Sequence, residues 1–289
     1  MSPFETKNWL ESFRTESTIN VNPTKLAKVI SISSGKGGVG KTSISVKLGK
    51  DLSEMGYRIL LIDCDYNLSN TMIKLGLPLN DNFYDLLTSV KSFDDCIYKD
   101  GSFHLLSSCS GNNQLNAVKK DLDQFIVDII TEHQESYDYV ILDCAAGVDK
   151  TTLNLNAFSD YRFVIVTPDS SSITDSYSLM KMLSNEYGVK DFHLFLNKIS
   201  TIGQYKKIVQ VMGETVESFL GARLMVLGAL NREQIEGDLF DQVLLSGKKT
   251  KININFSKVL EKFSEEGISG TAAPPILNND GQDVPTKLC

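Results

Sequence analysis

The chain has 289 residues, of which 42% are hydrophobic and 22% are charged. The 36 acidic residues outnumber the 29 lysines and arginines, and the formal charge of −7 at pH 7 excludes a uniformly basic surface for nucleic acid, although a local basic patch stays open. No apolar run reaches the ~18 residues of a membrane span, and the N-terminus lacks the basic start and apolar core of a signal peptide. The 5 cysteines form no Cys-x-x-Cys pair, and an odd number is typical of reduced thiols. We therefore expect a globular cytoplasmic protein.

Three regions follow one another along the chain. Residues 1–27 are polar with a few aromatic residues, so we predict an N-terminal arm outside the core. Residues 28–265 alternate short apolar runs with longer amphipathic stretches and are predicted to form one domain. Residues 266–289 are rich in Gly, Pro, Asn and Asp. Because they bury too little apolar surface to offset the entropy of ordering, we predict a disordered tail.

Within the domain, the apolar runs predict β-strands and the amphipathic stretches predict helices. The strands are predicted at 28–33, 58–62, 137–142, 161–167, 191–196 and 223–230, and the helices at 41–55, 122–133, 173–186 and 205–220. Runs such as 139–142 are apolar throughout, as in strands that are buried on both faces. The predicted fold is an α/β, doubly wound, mostly parallel sheet with helices on both faces.

A glycine-rich loop lies between the first predicted strand and the first predicted helix. From Gly35 to Thr42 it fits G-x-x-x-x-G-K-[ST], in the strand–loop–helix context of a phosphate-binding loop. Its backbone N–H groups can approach phosphate oxygens, Lys41 can reach the β- and γ-phosphates, and the Thr42 hydroxyl can bind Mg²⁺. The predicted phosphate-binding residues are Gly35, Gly37, Gly38, Val39, Gly40, Lys41, Thr42 and Ser43. The flanking strand and helix do not favour the alternative, a turn with a surface lysine.

Carboxylates follow two of the predicted strands. Asp63 and Asp65 come after the second strand, and Asp143 comes after the third. Ligands of doubly wound sheets bind at the carboxyl ends of the strands, so all three side chains can lie near the phosphate loop. Phosphoryl transfer needs such groups to hold a metal ion and to orient the attacking water. We predict Thr42, Asp63 and Asp143 as the metal-binding residues; in the alternative, Asp63 and Asp143 only cap turns.

These segments together resemble the MinD/ParA family of ATPases, whose deviant phosphate loop reads K-G-G-x-G-K-[ST]. The resemblance is carried by residues 36–42, 58–65, 139–147, 166–177 and 195–198. The second of these segments resembles the switch I strand of the family, and the third resembles its Walker B and switch II region. In the fourth, Ser172 to Asp175 also fits a capping box, which predicts the start of a helix.

The resemblance implies cofactors and roles for single residues. It implies ATP and Mg²⁺, an ATP-dependent homodimer, and slow, partner-regulated hydrolysis of ATP to ADP and phosphate. Lys36 is expected to reach the ATP of the partner, Lys41 to bind phosphate, and Asp65 to orient the water. Asn197 is expected to bind adenine, since its amide offers both a donor and an acceptor. Residues 65–70 depart from the usual D-L-G-L-A-N but keep the first Asp and the last Asn.

Within the family, the resemblance is strongest to the FlhG (FleN) group, which governs flagellar number and placement. It is carried by residues 105–111, 143–147 and 185–189. The expected function is a MinD-like ATPase that regulates flagellar number or placement through partner proteins. Two alternatives stay open: a ParA-type partition ATPase that uses DNA as its matrix, and a binding module that holds ATP only as a structural ligand.

The N-terminal arm bears on the protein partner. Trp9, Leu10 and Phe13 could share one helical face, with Arg14 beside it. FlhG proteins use a D-Q-A-x-x-L-R segment of their arm to stimulate the GTPase FlhF, and this sequence keeps the Arg but lacks the Gln. The arm is interpreted as a site for an FlhF-type GTPase or another flagellar regulator. Packing of the arm on its own domain is an equal alternative.

Three other segments bear on membrane and DNA. Residues 271–289 contain adjacent prolines and no apolar face, so they do not form the membrane-binding helix of MinD and FlhG proteins. Residues 256–263 have the apolar spacing that is typical of a core helix rather than of a membrane anchor. The basic cluster 247–251 is interpreted as a solvated loop, because the chain is acidic as a whole. Neither direct membrane binding nor DNA binding is therefore expected, and recruitment to the membrane or the cell pole stays open.

Overall fold

The computed structural model describes residues 26–66, 70–108, 121–233, 237–246, 248 and 250–267. The predictions for the arm up to residue 25 and for the tail from residue 268 lie outside the described residues. Parts of three shorter stretches, 65–70, 105–111 and 247–251, also lie outside them. The last described helix ends at Gly267, two residues beyond the predicted end of the domain.

Eight strands in the described residues form one sheet. They are β1 (Lys28–Ser34), β2 (Ile59–Cys64), β3 (Tyr98–Asp100), β4 (Phe103–Leu106), β5 (Tyr139–Ala146), β6 (Tyr161–Val166), β7 (Asp191–Ile199) and β8 (Arg223–Asn231). Their order across the sheet is β3-β4-β2-β5-β1-β6-β7-β8. All neighbours are parallel except β3 and β4, which are antiparallel. The predicted doubly wound, mostly parallel sheet is confirmed.

Helices cover both faces of this sheet. They are α1 (Lys41–Glu54), α2 (Thr71–Lys74), α3 (Asn82–Leu87), α4 (Phe93–Cys96), α5 (Leu122–His133), α6 (Lys150–Phe158), α7 (Ser170–Tyr187), α8 (Ile202–Leu220), α9 (Gly237–Leu245) and α10 (Lys251–Gly267). In the part of the chain that the structure describes, none of them is both long and apolar enough to cross a bilayer.

The strands in the middle of the sheet are apolar on both faces because each face packs under helices. On β5, Tyr139 and Ile141 belong to the cluster that includes α1 and α10, whereas Val140 and Leu142 belong to the cluster that includes α5. Successive side chains of a strand point to opposite faces, so a continuous apolar run fits a two-sided core. The interpretation of this run as a strand buried on both faces is confirmed.

Three strands extend at least two residues further than predicted, and these extensions contain site residues. β2 continues to Cys64, β5 to Ala146 and β7 to Ile199. The parallel ladder between β2 and β5 persists through the pairs Asp63–Asp143 and Cys64–Cys144. Asp63, Asp143 and Asn197 therefore lie inside strands rather than after them, because backbone pairing continues although the side chains turn polar.

Helix α10 contains the stretch whose apolar spacing predicted a core helix. Phe256, Val259, Leu260 and Phe263 are each 5% exposed or less and pack in the same cluster as α1. The Cβ position that Gly228 of β8 lacks would lie 2.8 Å from a Val259 methyl group, so this glycine lets α10 sit close to the sheet. The core interpretation of this stretch is confirmed.

The predicted capping box at Ser172 is wrong. Helix α7 begins at Ser170 with Asp169 at its N-cap, so Ser172 lies in the first turn. The Ser172 hydroxyl is fully buried and accepts a hydrogen bond from the backbone N–H of Thr167, at 3.0 Å. The Ser172 hydroxyl thus binds the residue that follows β6 instead of capping the helix. The local sequence does not reveal this contact.

Candidate nucleotide site

A cavity of about 840 Å³ opens at the carboxyl ends of the parallel strands. The carboxyl ends of β5, β7 and β8 and the segments that follow β1, β2 and β8 all contribute to its wall. The lining residues are Gly37, Gly38, Gly40, Lys41, Thr42, Ser43, Asp65, Asn70, Lys74, Ala145, Ala146, Asn197, Lys198, Asn231, Arg232, Glu233, Phe240 and Asp241. Its place in the sheet is the one where doubly wound folds bind their ligands, and its volume suits a nucleotide.

The phosphate loop is held in shape by its glycines and by α7. Gly38 and Gly40 have φ angles of 74° and 100°, in the left-handed region that favours glycine. At Gly35, an added Cβ would lie 2.0 Å from the backbone carbonyl carbon of Asp175, and the Gly35 N–H donates to the Ser176 hydroxyl at 3.3 Å. The loop leads into α1, so the N-terminus of that helix faces the cavity and favours an anion there.

The two lysines of the loop have opposite surroundings. Lys41 is 8% exposed, lines the cavity, and donates from Nζ to the Ser34 hydroxyl at 3.1 Å. Burial lowers the pKa of Lys41, while the nearby charges of Asp143 and Asp65 act in the opposite direction. Lys36 is exposed and donates from Nζ to the Ser171 hydroxyl at 2.8 Å. Lys36 therefore points to the surface at α7 and not into the cavity of its own chain.

Asp143 has the polar surroundings of a group prepared for a cation. It is 1% exposed, and its Oδ1 accepts a hydrogen bond from the Ser45 hydroxyl at 3.0 Å. Its Oδ2 is buried and has no hydrogen-bond partner among the described residues. Burial and the neighbouring Asp63 raise the pKa of Asp143, against smaller opposite effects of Thr42, Lys41 and Ser45. An unpartnered buried carboxylate oxygen is costly unless a cation or a water molecule binds it.

Asp63 differs from Asp143, although the two are directly paired between β2 and β5. Both oxygens of Asp63 already accept hydrogen bonds, one from the Thr71 hydroxyl and one from the Asp65 N–H at 3.0 Å. Asp63 is fully buried and does not line the cavity. It therefore fixes the start of the segment that carries Asp65.

The donor set fits Mg²⁺. Thr42 lines the cavity next to Lys41, and Asp143 offers its second oxygen behind it. In the described ranges, no group of three or more His, Cys, Asp or Glu side chains could hold a metal ion by itself. Mg²⁺ usually keeps several waters and takes few protein ligands together with substrate phosphates. The arrangement therefore suits a Mg²⁺ ion that arrives with a nucleotide.

Asp65 lies in the wall of the cavity at the end of β2. Its backbone N–H is held by Asp63, and its carbonyl oxygen accepts from the Ser108 hydroxyl at 3.3 Å. Asn70 lines the same wall. It is the last residue of the segment 65–70, which otherwise differs from the usual D-L-G-L-A-N of the family. The structure thus brings the predicted water-orienting carboxylate to the phosphate end of the cavity.

Asn197 has a structural task that its sequence position did not reveal. Its Nδ2 donates to the carbonyl oxygen of Val39 at 2.8 Å, and its Oδ1 accepts from the Lys198 N–H at 2.8 Å. Lys198 adds a bond from Nζ to the carbonyl oxygen of Gly38 at 2.9 Å. The end of β7 therefore braces the phosphate loop, and one donor and one acceptor site of the Asn197 amide remain for a ligand.

Several lining residues were missed by the sequence reasoning. They are Lys74, Lys198, Asn231, Arg232, Glu233, Phe240 and Asp241. Apart from Lys198, they belong to α2, to the end of β8 and to α9, which carry no recognised motif. The polar run that follows the apolar strand β8 was the available signal, since strand ends build the sites of such sheets.

Comparison with known proteins agrees with this geometry. A family model described as an AAA domain matches residues 27–194, more than half of the chain. The antiactivator FleN of Pseudomonas aeruginosa is 24% identical over 204 residues, which are 70% of this chain and 73% of FleN. The flagellum site-determining protein YlxH of Helicobacter pylori is 29% identical over 215 residues, 72% of this chain and 71% of YlxH.

Solved structures of MinD proteins share the fold. The cell division ATPase MinD of Pyrococcus furiosus aligns with a TM-score of 0.67 and 22% identity, covering 83% of this chain and 100% of the other. The MinC:MinD complex of Aquifex aeolicus gives a TM-score of 0.62 and 22% identity, covering 91% and 99%. From the family model, these relatives and the shared fold, the chain belongs to the MinD/ParA family of ATPases, enzymes that hydrolyse ATP with Mg²⁺ as the cofactor.

Proposed function

We propose that the protein is an ATP-dependent dimerisation switch of the FlhG/FleN type, which regulates flagellar number or placement through partner proteins. The observation that carries the proposal is the contrast between the two loop lysines. Lys41 is buried in the cavity wall, whereas Lys36 is exposed at the surface beside Ser171. A cation placed there suits the nucleotide of a second copy better than that of its own chain. The similarity to FleN and YlxH supports the flagellar role.

The residues at the phosphate end of the cavity have separate roles in this proposal. The loop amides and Lys41 bind the phosphates of ATP, and Ser43 and Thr42 stand at the start of α1, where the helix dipole favours negative charge. Bound Mg²⁺ supplies charge neutralisation of the phosphates, and Thr42 and Asp143 are the residues that would hold it directly or through water. Asp63, whose two oxygens already accept hydrogen bonds, supports the site by holding the segment of Asp65.

Hydrolysis then needs an oriented water molecule. The Asp65 carboxylate accepts a hydrogen bond from the water, whose oxygen attacks the γ-phosphorus as the bond to the β–γ bridging oxygen breaks. The bridging oxygen leaves with ADP, and the reaction gives ADP, phosphate and one proton that is released to the solvent. Lys41 and Lys36 of a second copy balance the negative charge that moves onto the phosphate oxygens. Loss of the γ-phosphate removes the group that Lys36 binds across the dimer, so the dimer separates.

Adenine and a protein partner are assigned to two further sites in this proposal. The free donor and acceptor sites of Asn197 recognise the edge of adenine at the far side of the loop. The N-terminal arm is proposed as the site for an FlhF-type GTPase, and a partner brings the dimer to the membrane or the cell pole. The MinC:MinD complex shows a structural relative acting with a partner protein.

The test is a pull-down with the Asp65→Ala protein, which should bind ATP and stay dimeric. Immobilised protein with ATP or ADP is offered, in separate arms, a purified FlhF-type GTPase, plasmid DNA and anionic lipid vesicles. We expect retention of the GTPase with ATP only, and loss of that retention when residues 1–20 are deleted. Salt-sensitive retention of DNA alone would instead establish a ParA-type partition ATPase. The Lys41→Ala protein, which should not bind ATP, is the matched control.

A further inference from the structure

An ion pair joins two walls of the cavity that are far apart in the sequence. The Nζ of Lys74, the last residue of α2, donates to Oδ2 of Asp241 in α9. The two residues are 167 positions apart, and both line the cavity. Helix α2 follows the segment of Asp65, and α9 follows the end of β8, so the pair connects the catalytic segment to the opposite wall.

The pair is largely shielded from water, in contrast to ion pairs at the surface. The side chains of Lys74 and Asp241 are 23% and 13% exposed, whereas those of Arg223 and Asp191 are 70% and 49% exposed. The second carboxylate oxygen of Asp241 is buried and has no hydrogen-bond partner among the described residues. Lys74 is therefore the group that balances the Asp241 charge, and removing it leaves a carboxylate buried without a counter-charge.

Helix α2 is anchored at both ends by such contacts. Its first residue, Thr71, donates from its hydroxyl to Asp63, and its last residue, Lys74, holds Asp241. Leu244 of α9 is fully buried in the cluster that includes α1. The short helix thus links the acidic end of β2 to α9 through two charge-assisted hydrogen bonds.

We propose that Lys74 and Asp241 form a clasp, which holds α9 against the side of the cavity and slows the release of bound nucleotide. The proposal rests on nucleotide binding in this cavity and adds a control on its release. With the clasp closed, a bound nucleotide leaves only when the ion pair breaks or α9 moves.

The test measures the release of a fluorescent ADP analogue, N-methylanthraniloyl-ADP, after mixing with excess unlabelled ADP in a stopped-flow instrument. Lys74→Asp and Asp241→Lys should each accelerate release by about tenfold or more, because each places like charges face to face. The double variant, with both charges exchanged, should return to within about threefold of the parental rate. A merely structural effect would not be rescued by exchanging the charges.

The controls separate the clasp from the site itself. Arg223→Ala, which breaks an exposed ion pair outside the cavity, should leave the release rate unchanged. If a charge-reversed protein fails to fold, Asp241→Asn takes its place and should give a smaller acceleration of release. Release from both single variants at the parental rate, or a double variant as fast as the singles, would overturn the clasp. If the parental protein does not bind the analogue at all, the nucleotide site itself is wrong.

Discussion

The two ends of the cavity are built in different ways. The phosphate end centres on one continuous segment, from Ser34 to Ser43. This segment is fixed by left-handed glycines, by a hydrogen bond that the Asn197 amide donates to it, and by one that the Gly35 N–H donates to the Ser176 hydroxyl. The opposite end is assembled from α2, the end of β8 and α9, which meet through side chains such as Lys74 and Asp241. The first end is pre-organised for the phosphates, whereas the second is held together by side-chain contacts such as this ion pair. In the proposed function, tight phosphate binding and controlled release therefore belong to different parts of the wall.

The largest effect is expected at the phosphate end from Lys41→Ala. The change removes the buried cation from the cavity wall, so ATP hydrolysis should fall by about 10²–10³-fold and ATP binding should weaken strongly. A phosphate-release assay and titration with a fluorescent ATP analogue measure both. Lys50→Ala, on the solvent side of α1 where Lys50 pairs with Asp100, is the matched control and should be neutral. Near-parental hydrolysis by Lys41→Ala would remove the basis for calling this end pre-organised.

The second effect in size is expected from Asp65→Ala. Without the carboxylate that orients the water, hydrolysis should fall by about 10²-fold, whereas ATP still binds and the dimer accumulates. Single-turnover hydrolysis and sedimentation velocity in the presence of ATP test the two halves of this expectation. Asp100→Ala, an exposed acidic change outside the cavity, serves as the control. Hydrolysis at the parental rate would show that Asp65 is not the water-orienting group.

Asp143→Asn should stabilise the nucleotide-free protein while it impairs the Mg²⁺-dependent reaction. The folded state raises the pKa of Asp143 to about 7, chiefly through burial, so between roughly pH 4 and 7 the folded protein binds more protons than the unfolded chain. The stability of the parental protein should therefore fall as the pH rises through this window. The Asp143→Asn protein lacks this titrating group. Its free energy of unfolding should therefore exceed that of the parental protein by about 1–3 kcal/mol at pH 7.5, and by much less at pH 5.

Urea unfolding without nucleotide and with a chelator measures this difference at the two pH values. Asp100→Asn, which changes an exposed carboxyl group, is the control and should show no pH-dependent gain. An equal effect of Asp143→Asn at both pH values, or a loss of stability at pH 7.5, would contradict the assignment of an uncompensated buried carboxylate at the phosphate end.

The smallest of the four effects is expected from Lys36→Ala. Because Lys36 lies outside the cavity of its own chain, ATP binding to the monomer should change by no more than about twofold, whereas the ATP-dependent dimer should weaken by about tenfold. Sedimentation velocity with the Asp65→Ala background, which prevents hydrolysis, isolates the dimer. Ser171→Ala removes the resting partner of Lys36 and should leave the dimer intact. A normal dimer in the Lys36→Ala protein would assign the exposed lysine to another task.

The same contrast explains what the sequence could and could not predict. The phosphate loop, the strand alternation and Asp63, Asp65 and Asp143 are local signals, because spacing and strand ends determine them. The brace from Asn197 to Val39 joins residues 158 positions apart, and no local pattern encodes such a contact. The clasp residues Lys74 and Asp241 were missed for the same reason.

Edge elements and caps show a second limit. The short strands β3 and β4 carry only three and four residues, too few for a periodic pattern, and they form because β4 can pair with the edge of β2. Ser172 fits a capping box, yet the Thr167 N–H uses its hydroxyl instead. In both cases, hydrogen bonds to another element of the fold, and not the local propensity of the segment, determine the structure that forms.

The register between β2 and β5 has a practical consequence. Along both strands the acidic side chains face α1, and the neighbouring Cys64 and Cys144 face the opposite apolar cluster. A slip of one residue in either strand would exchange the two sets, burying a carboxylate in the apolar layer and withdrawing it from the phosphates. Nucleotide affinity therefore reports whether these strands are paired correctly, and it can serve as a folding assay for refolded or redesigned versions of the chain.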